Sequence, residues 1–398
     1  MMDFLSDNVR RDPYPHYARL RQASPLLHDP RMDAWMVFDY DGVRRTLQDH
    51  EAFSSSPVTA RRAAPDWFIF ADPPRHTRMR GLLARAFTPR SVAALEPRIR
   101  WLSRALLDRG IERGEMDLAA DFSVPLPLLV IAEMLGIPVA DRPRFRRWSD
   151  AILDLSHTLP GGEGAERASQ AYRAATAEMH DYVARLVDDR RVDPAEDLLT
   201  RLVHAELDGE RLTTMEILGF VQLLLIAGQE TTTNLLNNAI LCFIRHPEQL
   251  ARVRAVPELL PSAIEEVLRY RSPVQWMFRF ARADVRMHGR TIPAGTMVLP
   301  MIGSANHDPA HFADPARFDV ARDPNPHLAF GHGIHHCIGA PLGRLEARIA
   351  LGDLLERLHD IELASDAPWE PRRALHVHGP ARLPIRFTPG ARMAAATA

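Results

Sequence analysis

Apolar residues recur at spacings of three and four through most of this chain, and short stretches of turn residues separate the repeats. Such spacing puts apolar side chains on one face of an α-helix. The pattern predicts helices at 75–86, 91–109, 126–135, 141–156, 165–191, 196–205, 259–269 and 341–358. A much longer helix is predicted from Thr213 to about Arg245, because Thr213 and Glu216 have capping-box spacing and Pro247 follows its end.

Strand-like segments are short and lie toward the two ends of the chain, at 34–38, 285–289, 296–300 and 381–387. Gly289 and Gly295 sit in segments typical of a hairpin and a turn. No repeat period or linker-like block divides the chain. The sequence therefore predicts a mainly α protein with small β-sheets, folded as one domain over residues 1–398.

Composition narrows the class of protein. The chain has 398 residues, is 46% hydrophobic and 25% charged, and carries a net charge of -2, which is ordinary for a soluble globular protein. This balance provides no basic field to gather nucleic acid. No apolar run reaches the ~20 residues that span a bilayer, and two distant cysteines suit a reducing compartment. We expect a cytoplasmic protein with neither nucleic acid nor membrane as a partner.

The segment 330–339 concentrates candidate chemistry. Three glycines at 331, 333 and 339 surround Cys337, and Pro341 then opens a predicted helix. Glycine lets the backbone pass close to a flat ligand, and a helix N-terminus favours the thiolate that ligates iron. Two alternatives stay open here: a glycine-rich turn around a buried cysteine, and a zinc site. The zinc ligands would be His332, His335, His336 and Cys337, which match no usual zinc spacing.

The pattern Phe330-x-x-Gly333-x-His335-x-Cys337-x-Gly339 resembles the haem-ligand loop of the cytochrome P-450 superfamily, of the soluble bacterial type. The resemblance covers about residues 12–387. It implies the fold of that family, with a long central helix over the haem, and Cys337 as the axial ligand of haem b iron. It also implies cofactor contacts from His76, Arg80, Arg279 and His335 to the propionates, and from Ala227, Gly228, Phe330, Gly331 and Gly339.

The segment 227–232, Ala-Gly-Gln-Glu-Thr-Thr, lies in the middle of the long predicted helix. A threonine hydroxyl there can compete for a backbone carbonyl and loosen one turn. A hydroxyl beside a carboxylate can hold water and relay protons. The resemblance implies that this segment crosses the oxygen-binding side of the haem, with Glu230 and Thr231 as the catalytic acid–alcohol pair.

Glu266 and Arg269 are one helical turn apart and therefore face the same side. In the family this pair is joined by an arginine from a Pro-x-Arg-Phe stretch, which here is Pro315 to Phe318. The resemblance thus implies a structural lock of Glu266, Arg269 and Arg317 that holds the haem loop. No chemistry is assigned to it.

Position in the family also implies a substrate pocket, in which the resemblance places Trp67, Phe68, Phe70, Leu223, Ile226, Ala227, Val274, Gln275, Met277 and Val377. This set is almost entirely apolar. A terpenoid, steroid, fatty acid or polyketide therefore fits it better than a sugar or a nucleotide does.

The resulting hypothesis is a haem monooxygenase that inserts one oxygen atom from O₂ into a hydrophobic small molecule. The chain shows no dinucleotide glycine fingerprint and no cysteine cluster. The resemblance therefore implies a separate ferredoxin and an NAD(P)H-dependent ferredoxin reductase, with Arg104, Arg344 and Arg348 as docking candidates on a monomeric enzyme. The alternatives are a peroxide-driven peroxygenase on the same fold and a non-catalytic haem or ligand-binding protein. The acid–alcohol pair argues against both.

Overall fold

The computed structural model describes residues 6–57, 67–157 and 164–391, without the side chains of 156 and 157. Its helices, in chain order, are α1 (Asp7–Arg11), α2 (Tyr14–Ala23), α3 (Tyr40–Gln48), α4 (Arg75–Ala86), α5 (Pro89–Ala93), α6 (Glu96–Asp108), α7 (Pro125–Met134), α8 (Arg142–His157), α9 (Ala165–Val192), α10 (Leu198–His204), α11 (Thr214–Arg245), α12 (Pro247–Ala255), α13 (Leu260–Tyr270), α14 (Ile302–Ala305) and α15 (Ala340–Arg357).

The predicted helices are present, with bounds that differ by a few residues. The capping box of the long helix α11 is confirmed: the Thr213 hydroxyl accepts from the Glu216 amide at 3.2 Å, and the Glu216 carboxylate accepts from the Thr213 amide at 2.9 Å. The single helix expected at 91–109 is divided, because Pro97 begins a new helix at α6. Helices α1, α2, α3, α12 and α14 were not predicted.

Strands are shorter and more numerous than the sequence suggests. They are β1 (Leu26–Asp29), β2 (Ala34–Val37), β3 (Phe53–Ser54), β4 (Glu115–Asp117), β5 (Glu206–Leu207), β6 (Glu210–Arg211), β7 (Arg279–Ala281), β8 (Val285–Met287), β9 (Arg290–Ile292), β10 (Met297–Pro300), β11 (Leu358–Leu363) and β12 (Pro384–Pro389). The predicted hairpin joins β8 to β9, with His288 and Gly289 both at positive φ, the conformation of a two-residue hairpin turn.

The largest sheet has the strand order β1-β2-β10-β7-β3, and a second sheet has the order β11-β12-β4. In the first, β2 and β10 run parallel, with Ala34 opposite Met297 and Val37 opposite Pro300. The remaining pairs, β5 with β6 and β8 with β9, are isolated hairpins. The prediction of a mainly α fold with small sheets is confirmed.

Helix α11 is buried on most of its sides and packs against α7, α13 and α15. A helix that is apolar nearly all round belongs in the core of a large protein. Because α15 begins directly after the Cys337 loop and packs on α11, the loop is held facing the middle of α11. Across the described ranges, no helix is both long enough and apolar enough to cross a membrane.

Candidate functional site

A deep cavity lies between the middle of α11 and the loop that carries Cys337. Its empty space amounts to about 1590 Å³, part of which is open solvent. Ala227, Gly228 and Thr231 line it from α11. From the loop it is lined by Phe330, Gly331, His335, Cys337 and Gly339. The structure thus brings together two segments of the sequence that lie about one hundred residues apart.

The Cys337 side chain is accessible from this cavity. Its amide donates to the carbonyl of Phe330 at 2.9 Å, which closes the loop. Gly333 has a φ of 72°, and a Cβ there would lie 2.8 Å from the Cα of Gln48, so this position requires glycine. Burial raises the pKa of the Cys337 thiol, and the amide of Gly339 and the charge of Arg80 offset this only in part.

Cationic and imidazole side chains converge on one side of the cavity. Arg80, Arg279 and His335 line it, and the His76 ring lies 4.2 Å from the ring of His335, between centroids. Among the described residues, no ring nitrogen of His76 or His335 has a hydrogen bond of good geometry. Burial and the neighbouring cations lower the pKa of His76 to about 4 and that of His335 to about 3. Burial also lowers the pKa of Arg279 to about 10.

The charge of Asp72 raises the pKa of His76 and Arg279 only in part, and the carboxylate of Asp72 has other partners. Asp72 accepts from the Ser54 hydroxyl, from the Ser55 amide at 2.9 Å and from Arg282 at 2.7 Å. Buried donors without partners are costly, by about 1–3 kcal/mol each. The cluster therefore fits a dianionic ligand, such as the two propionates of a haem whose iron faces Cys337.

The zinc alternative receives no support from the described part of the chain. There, no three side chains of His, Cys, Asp or Glu come together in a group that could hold a metal ion. A haem needs only one protein ligand to iron, because the porphyrin supplies the others. A single cysteine at the wall of the cavity suits that requirement.

Glu230 and Thr231 have different surroundings although they are adjacent. Thr231 lines the cavity, and its hydroxyl donates to the carbonyl of Ala227 at 2.6 Å, the competition for a backbone carbonyl expected from the sequence. Glu230 is buried outside the cavity lining and lies near Arg372. Burial lowers the pKa of Arg372, and the charge of Glu230 opposes this in part. Only the alcohol of the pair therefore faces the cavity directly.

The structural lock contains a different third arginine from the one expected. Glu266 and Arg269 are fully buried and form a bidentate ion pair at 2.8 Å. Arg322, rather than Arg317, completes it, with its Nε 3.1 Å from both carboxylate oxygens of Glu266. The Arg317 side chain is 62% exposed and approaches Asp319, while its backbone carbonyl accepts from Arg269 and Arg322. The prediction of Arg317 was wrong because the turn before Phe318 points that side chain into solvent.

Replacing Arg322 with alanine is expected to lower the free energy of unfolding by about 2–4 kcal/mol, because Glu266 loses one partner while fully buried. Replacing Arg317 with alanine is the matched control. It leaves the backbone carbonyl in place, and a change of no more than about 0.5 kcal/mol is expected. Urea midpoints of the two variants decide between the assignments, and equal losses would contradict the placement of Arg322.

Half of the residues predicted for the substrate pocket line the cavity, and the other half do not. Phe68, Leu223, Val274 and Met277 line the cavity together with Ala227. The other predicted residues lie outside the lining: Trp67, Phe70, Ile226, Gln275 and Val377. Trp67 stacks on Phe70 and donates to the side chain of Gln222 at 3.2 Å. These two aromatic rings therefore pack behind the wall.

Gln275 and Val377 hold the wall in place without forming it. The amide of Gln275 donates to the carbonyl of His376 at 2.8 Å, and Val274 pairs with Val377 in an isolated β-bridge. The side-chain amide of Asn238 on α11 then bonds to the carbonyls of Arg271 and His378. The wall at Val274 is thus a backbone ladder tied to the long helix.

Several lining residues were missed by the sequence analysis. On α11 these are Phe220, Leu224 and Thr232. Strict helical spacing from Thr231 would have found Phe220, Leu223, Leu224, Ala227 and Gly228, and would have excluded Ile226. Further lining residues lie on other elements: Ile69, Phe87, Ile131 and Ile302.

Glu346 was also missed, and it is a buried acid at the cavity wall. It lies on α15, is 2% exposed, and its Oε1 has no hydrogen-bond partner among the described residues. Burial raises the pKa of Glu346 to about 8, and a hydrogen bond with Thr232 opposes this only in part. Nothing in the sequence around residue 346 distinguishes it from a solvated glutamate on a helix.

Replacing Glu346 with glutamine is expected to make stability less sensitive to pH. The folded pKa lies above the unfolded value of about 4.3, so the folded protein retains a proton that the unfolded chain releases. The wild-type free energy of unfolding therefore falls as pH rises from about 4.3 to about 8, by roughly 1.4 kcal/mol per unit at most. Urea midpoints across this range measure the effect. Exposed Glu362→Gln is the control, and parallel pH profiles for wild type and Glu346→Gln would contradict the prediction.

The three candidate docking arginines are all engaged with acids. Arg104 approaches Asp353 at 3.3 Å, Arg348 approaches Glu96 at 2.8 Å, and Arg344 approaches Glu265 at 2.7 Å. Each arginine is between 37% and 43% exposed. Their positive charge is therefore partly neutralised within the chain.

Comparison with known proteins matches this arrangement to one family. A family model described as Cytochrome P-450 matches residues 24–255 and 257–373. The cytochrome P-450 monooxygenase PikC of Streptomyces venezuelae is 43% identical, over 97% of this chain and 94% of its own length. The solved structure of CYP109Q5 from Chondromyces apiculatus has a TM-score of 0.90 at 41% identity, covering 98% of this chain and 99% of that one.

A second similar solved structure contains a bound ligand. CYP109E1 from Bacillus megaterium, in complex with testosterone, has a TM-score of 0.87 at 39% identity, covering 94% of this chain and 99% of that one.

Proposed function

This chain belongs to the cytochrome P-450 family, whose members bind haem b and act as monooxygenases, and from that premise we propose that it oxidises an uncharged, apolar substrate of steroid or macrolide size. The cavity over Cys337 carries the proposal. Apart from the groups assigned to the haem, its lining is dominated by Phe68, Phe87, Phe220, Leu223, Leu224, Val274 and Met277. Such walls favour a hydrophobic scaffold by burying its surface.

Cys337 is the proposed axial ligand of the iron. Metal coordination takes the thiolate form and removes the thiol proton, and the amide of Gly339 stabilises the resulting negative charge. A thiolate-bound haem supplies activation of O₂ by favouring O–O cleavage. Arg80, Arg279, His76 and His335 are proposed to bind the propionates, which would give the unpaired donors of that cluster their acceptors.

Thr231 is proposed as the proton-handling residue at the substrate side. Its hydroxyl hydrogen is held by the Ala227 carbonyl, so the oxygen remains free to accept from a water in the cavity. Glu230, one residue earlier and beside Arg372, is proposed to supply protons to that water from outside the cavity. The two side chains would then act in sequence, with the carboxylate behind and the hydroxyl in front.

The printed sequence contains no dinucleotide glycine fingerprint and no cysteine cluster, which supports separate redox partners. Electrons are proposed to arrive from a separate ferredoxin, reduced by an NAD(P)H-dependent reductase, and the enzyme is proposed to work as a cytoplasmic monomer. Because Arg104, Arg344 and Arg348 already have acidic partners, we expect docking to depend on the net charge of this face rather than on these arginines singly.

Spectral titration tests the substrate class. Steroids, macrolides, fatty acids and terpenoids are added to the purified holoenzyme, and displacement of water from the iron is followed as a change in spin state. We expect saturable shifts with a member of this panel and none with a nucleoside or a sugar. Shifts produced only by hydrophilic compounds would contradict the proposal.

A pair of variants on α11 sharpens that test. Leu223→Ala removes a side chain that lines the cavity, so the Kd of the bound compound should rise roughly tenfold, as the loss of about 1.5 kcal/mol of apolar contact requires. Ile226→Ala is the control, three residues away but outside the lining. An equal rise for both would mean that the cavity is not where the compound binds.

A further inference from the structure

A second charge network, distinct from the Glu266 lock, joins α13 and α15 to the segment that leads into the Cys337 loop. Glu265, on α13, accepts from Arg344 of α15 in a bidentate pair at 2.8 and 2.7 Å. It also pairs with Nε2 of His327 at 3.0 Å. Two adjacent glutamates on α13 therefore reach the loop region through different partners.

The protonation of this network is determined by its geometry. Nδ1 of His327 accepts from the amide of Ala329 at 3.3 Å, so Nε2 carries the hydrogen that it donates to Glu265. Burial opposes the charge on Glu265, but the hydrogen bonds from Arg344 and His327 outweigh it and lower its pKa to about 2. Glu265 is thus a firm anion, and Arg344 is held in one orientation.

That orientation places Arg344 over Phe330. The guanidinium carbon lies 4.4 Å from the centre of the Phe330 ring, within cation–π range. Phe330 itself lines the cavity, and its carbonyl accepts from the Cys337 amide at 2.9 Å. The His327 ring flanks Phe330 at 6.2 Å, between centroids. Glu265 thereby fixes the side chains of Arg344 and His327. Both pack against Phe330, whose carbonyl supports the loop that carries Cys337.

Arg344 also brings a charge to the thiolate loop. Its guanidinium lies over Phe330, whose carbonyl accepts from the Cys337 amide, so only Phe330 separates this charge from the backbone of Cys337. Arg80 belongs to the cluster assigned to the propionates, whereas Arg344 is outside the cavity lining. Arg344 is therefore a cation beside the thiolate loop that the propionates would not neutralise and that Glu265 neutralises only in part.

We propose that Glu265 and Arg344 are positioning residues for the thiolate. Glu265 orients Arg344 so that the guanidinium plane clamps the Phe330 ring. The positive charge of Arg344 then weakens the electron donation from Cys337 to the iron. The proposal rests on the assignment of Cys337 as the iron ligand. It removes Arg344 from the set of residues that dock a redox partner. An arginine is required, because lysine offers the charge without the planar fork that pairs bidentately and stacks on a ring.

The proposal assigns two effects to Arg344, one through its charge and one through its position over Phe330. Two measurements on the holoenzyme report these effects separately. The reduction potential of the iron reports the charge. The rate at which the reduced, CO-bound protein loses its red-shifted Soret band reports how firmly the thiolate is held. Arg344→Gln should shift the potential to more negative values, because removing a cation favours the oxidised state, and should speed the loss of the band several-fold.

Conservative variants complete the test. Arg344→Lys should restore the potential but not the slow loss of the band, and Glu265→Gln should speed that loss as Arg344→Gln does. The double variant should be no faster than either single one, since both remove the same clamp. Arg348→Gln is the matched control, because Arg348 lies one turn further along α15, is 43% exposed against 41% for Arg344, and also pairs with a glutamate.

Three results would overturn the positioning role, the clamp or the assignment of Cys337, respectively. If Arg344→Gln and Glu265→Gln behave as Arg348→Gln does in both measurements, the positioning role is wrong. If Arg344→Lys restores both properties, charge alone suffices and the clamp is wrong. A wild type without the red-shifted band would instead overturn the assignment of Cys337, which separates failure of the proposed function from failure of this inference.

Discussion

Replacing Cys337 with alanine is expected to abolish the red-shifted Soret band of the reduced, CO-bound protein and all O₂-dependent turnover. The sulfur is accessible from the cavity, and within the described lining it is the only thiol. Histidine at this position should restore an iron ligand but not the band, because imidazole donates less electron density than thiolate.

The second cysteine provides the matched control for this experiment. Cys242 lies on α11 in the core of the protein, where it is 1% exposed. Burial raises the pKa of its thiol to about 12. Cys242→Ala should retain the band and lose at most a few kcal/mol of stability. A Cys337→Ala protein with the wild-type spectrum would refute the assignment of the ligand.

Replacing Thr231 with valine is expected to uncouple electron consumption from product formation. Valine matches the volume of threonine but removes the hydroxyl oxygen that would accept from a water in the cavity, so a proton relay worth ~10²–10⁴ in rate is interrupted. Haem content and substrate affinity should be retained, while the electrons consumed should appear as hydrogen peroxide. Product formed per NAD(P)H consumed, with one ferredoxin throughout, is the measurement.

Two comparisons make that result specific. Thr231→Ser keeps a hydroxyl and should remain coupled. Turnover driven by added peroxide should survive better than O₂-dependent turnover in Thr231→Val, because that oxidant already carries its protons. Unchanged coupling in the valine variant would eliminate the role of the hydroxyl. A wild type active only with peroxide would indicate a peroxygenase, and one that oxidises nothing would indicate a binding protein.

Local patterns predicted the elements of the fold well, and they predicted the contacts between elements poorly. The capping box at Thr213 and the glycines around Cys337 act within a few residues, so the sequence reveals them directly. The burial of Glu346 depends on α11 lying across α15, and Arg344 meets Glu265 across 79 positions of the chain. No spacing rule encodes contacts of that kind.

The error at Arg317 shows the same limit on a smaller scale. A motif match places an arginine in the correct stretch, but whether residue 317 or residue 322 reaches Glu266 depends on the path of the turn between them. Ile226 is a comparable case, since one residue along a helix rotates a side chain by about 100° and takes it out of the cavity. The family resemblance identifies the segment of the sequence, and the three-dimensional structure determines which side chain in that segment reaches the site.

The ladder at Val274 bears on how this enzyme can acquire new substrates. Its hydrogen bonds run between backbone groups, from Gln275 to His376 and from His378 to Pro273, and the anchor at Asn238 also bonds to carbonyls. The scaffold of this wall is therefore indifferent to which side chains project from it. Substitutions at Val274 or Met277 can reshape the cavity one residue at a time without disturbing the frame. Diversification of substrate range should accumulate there.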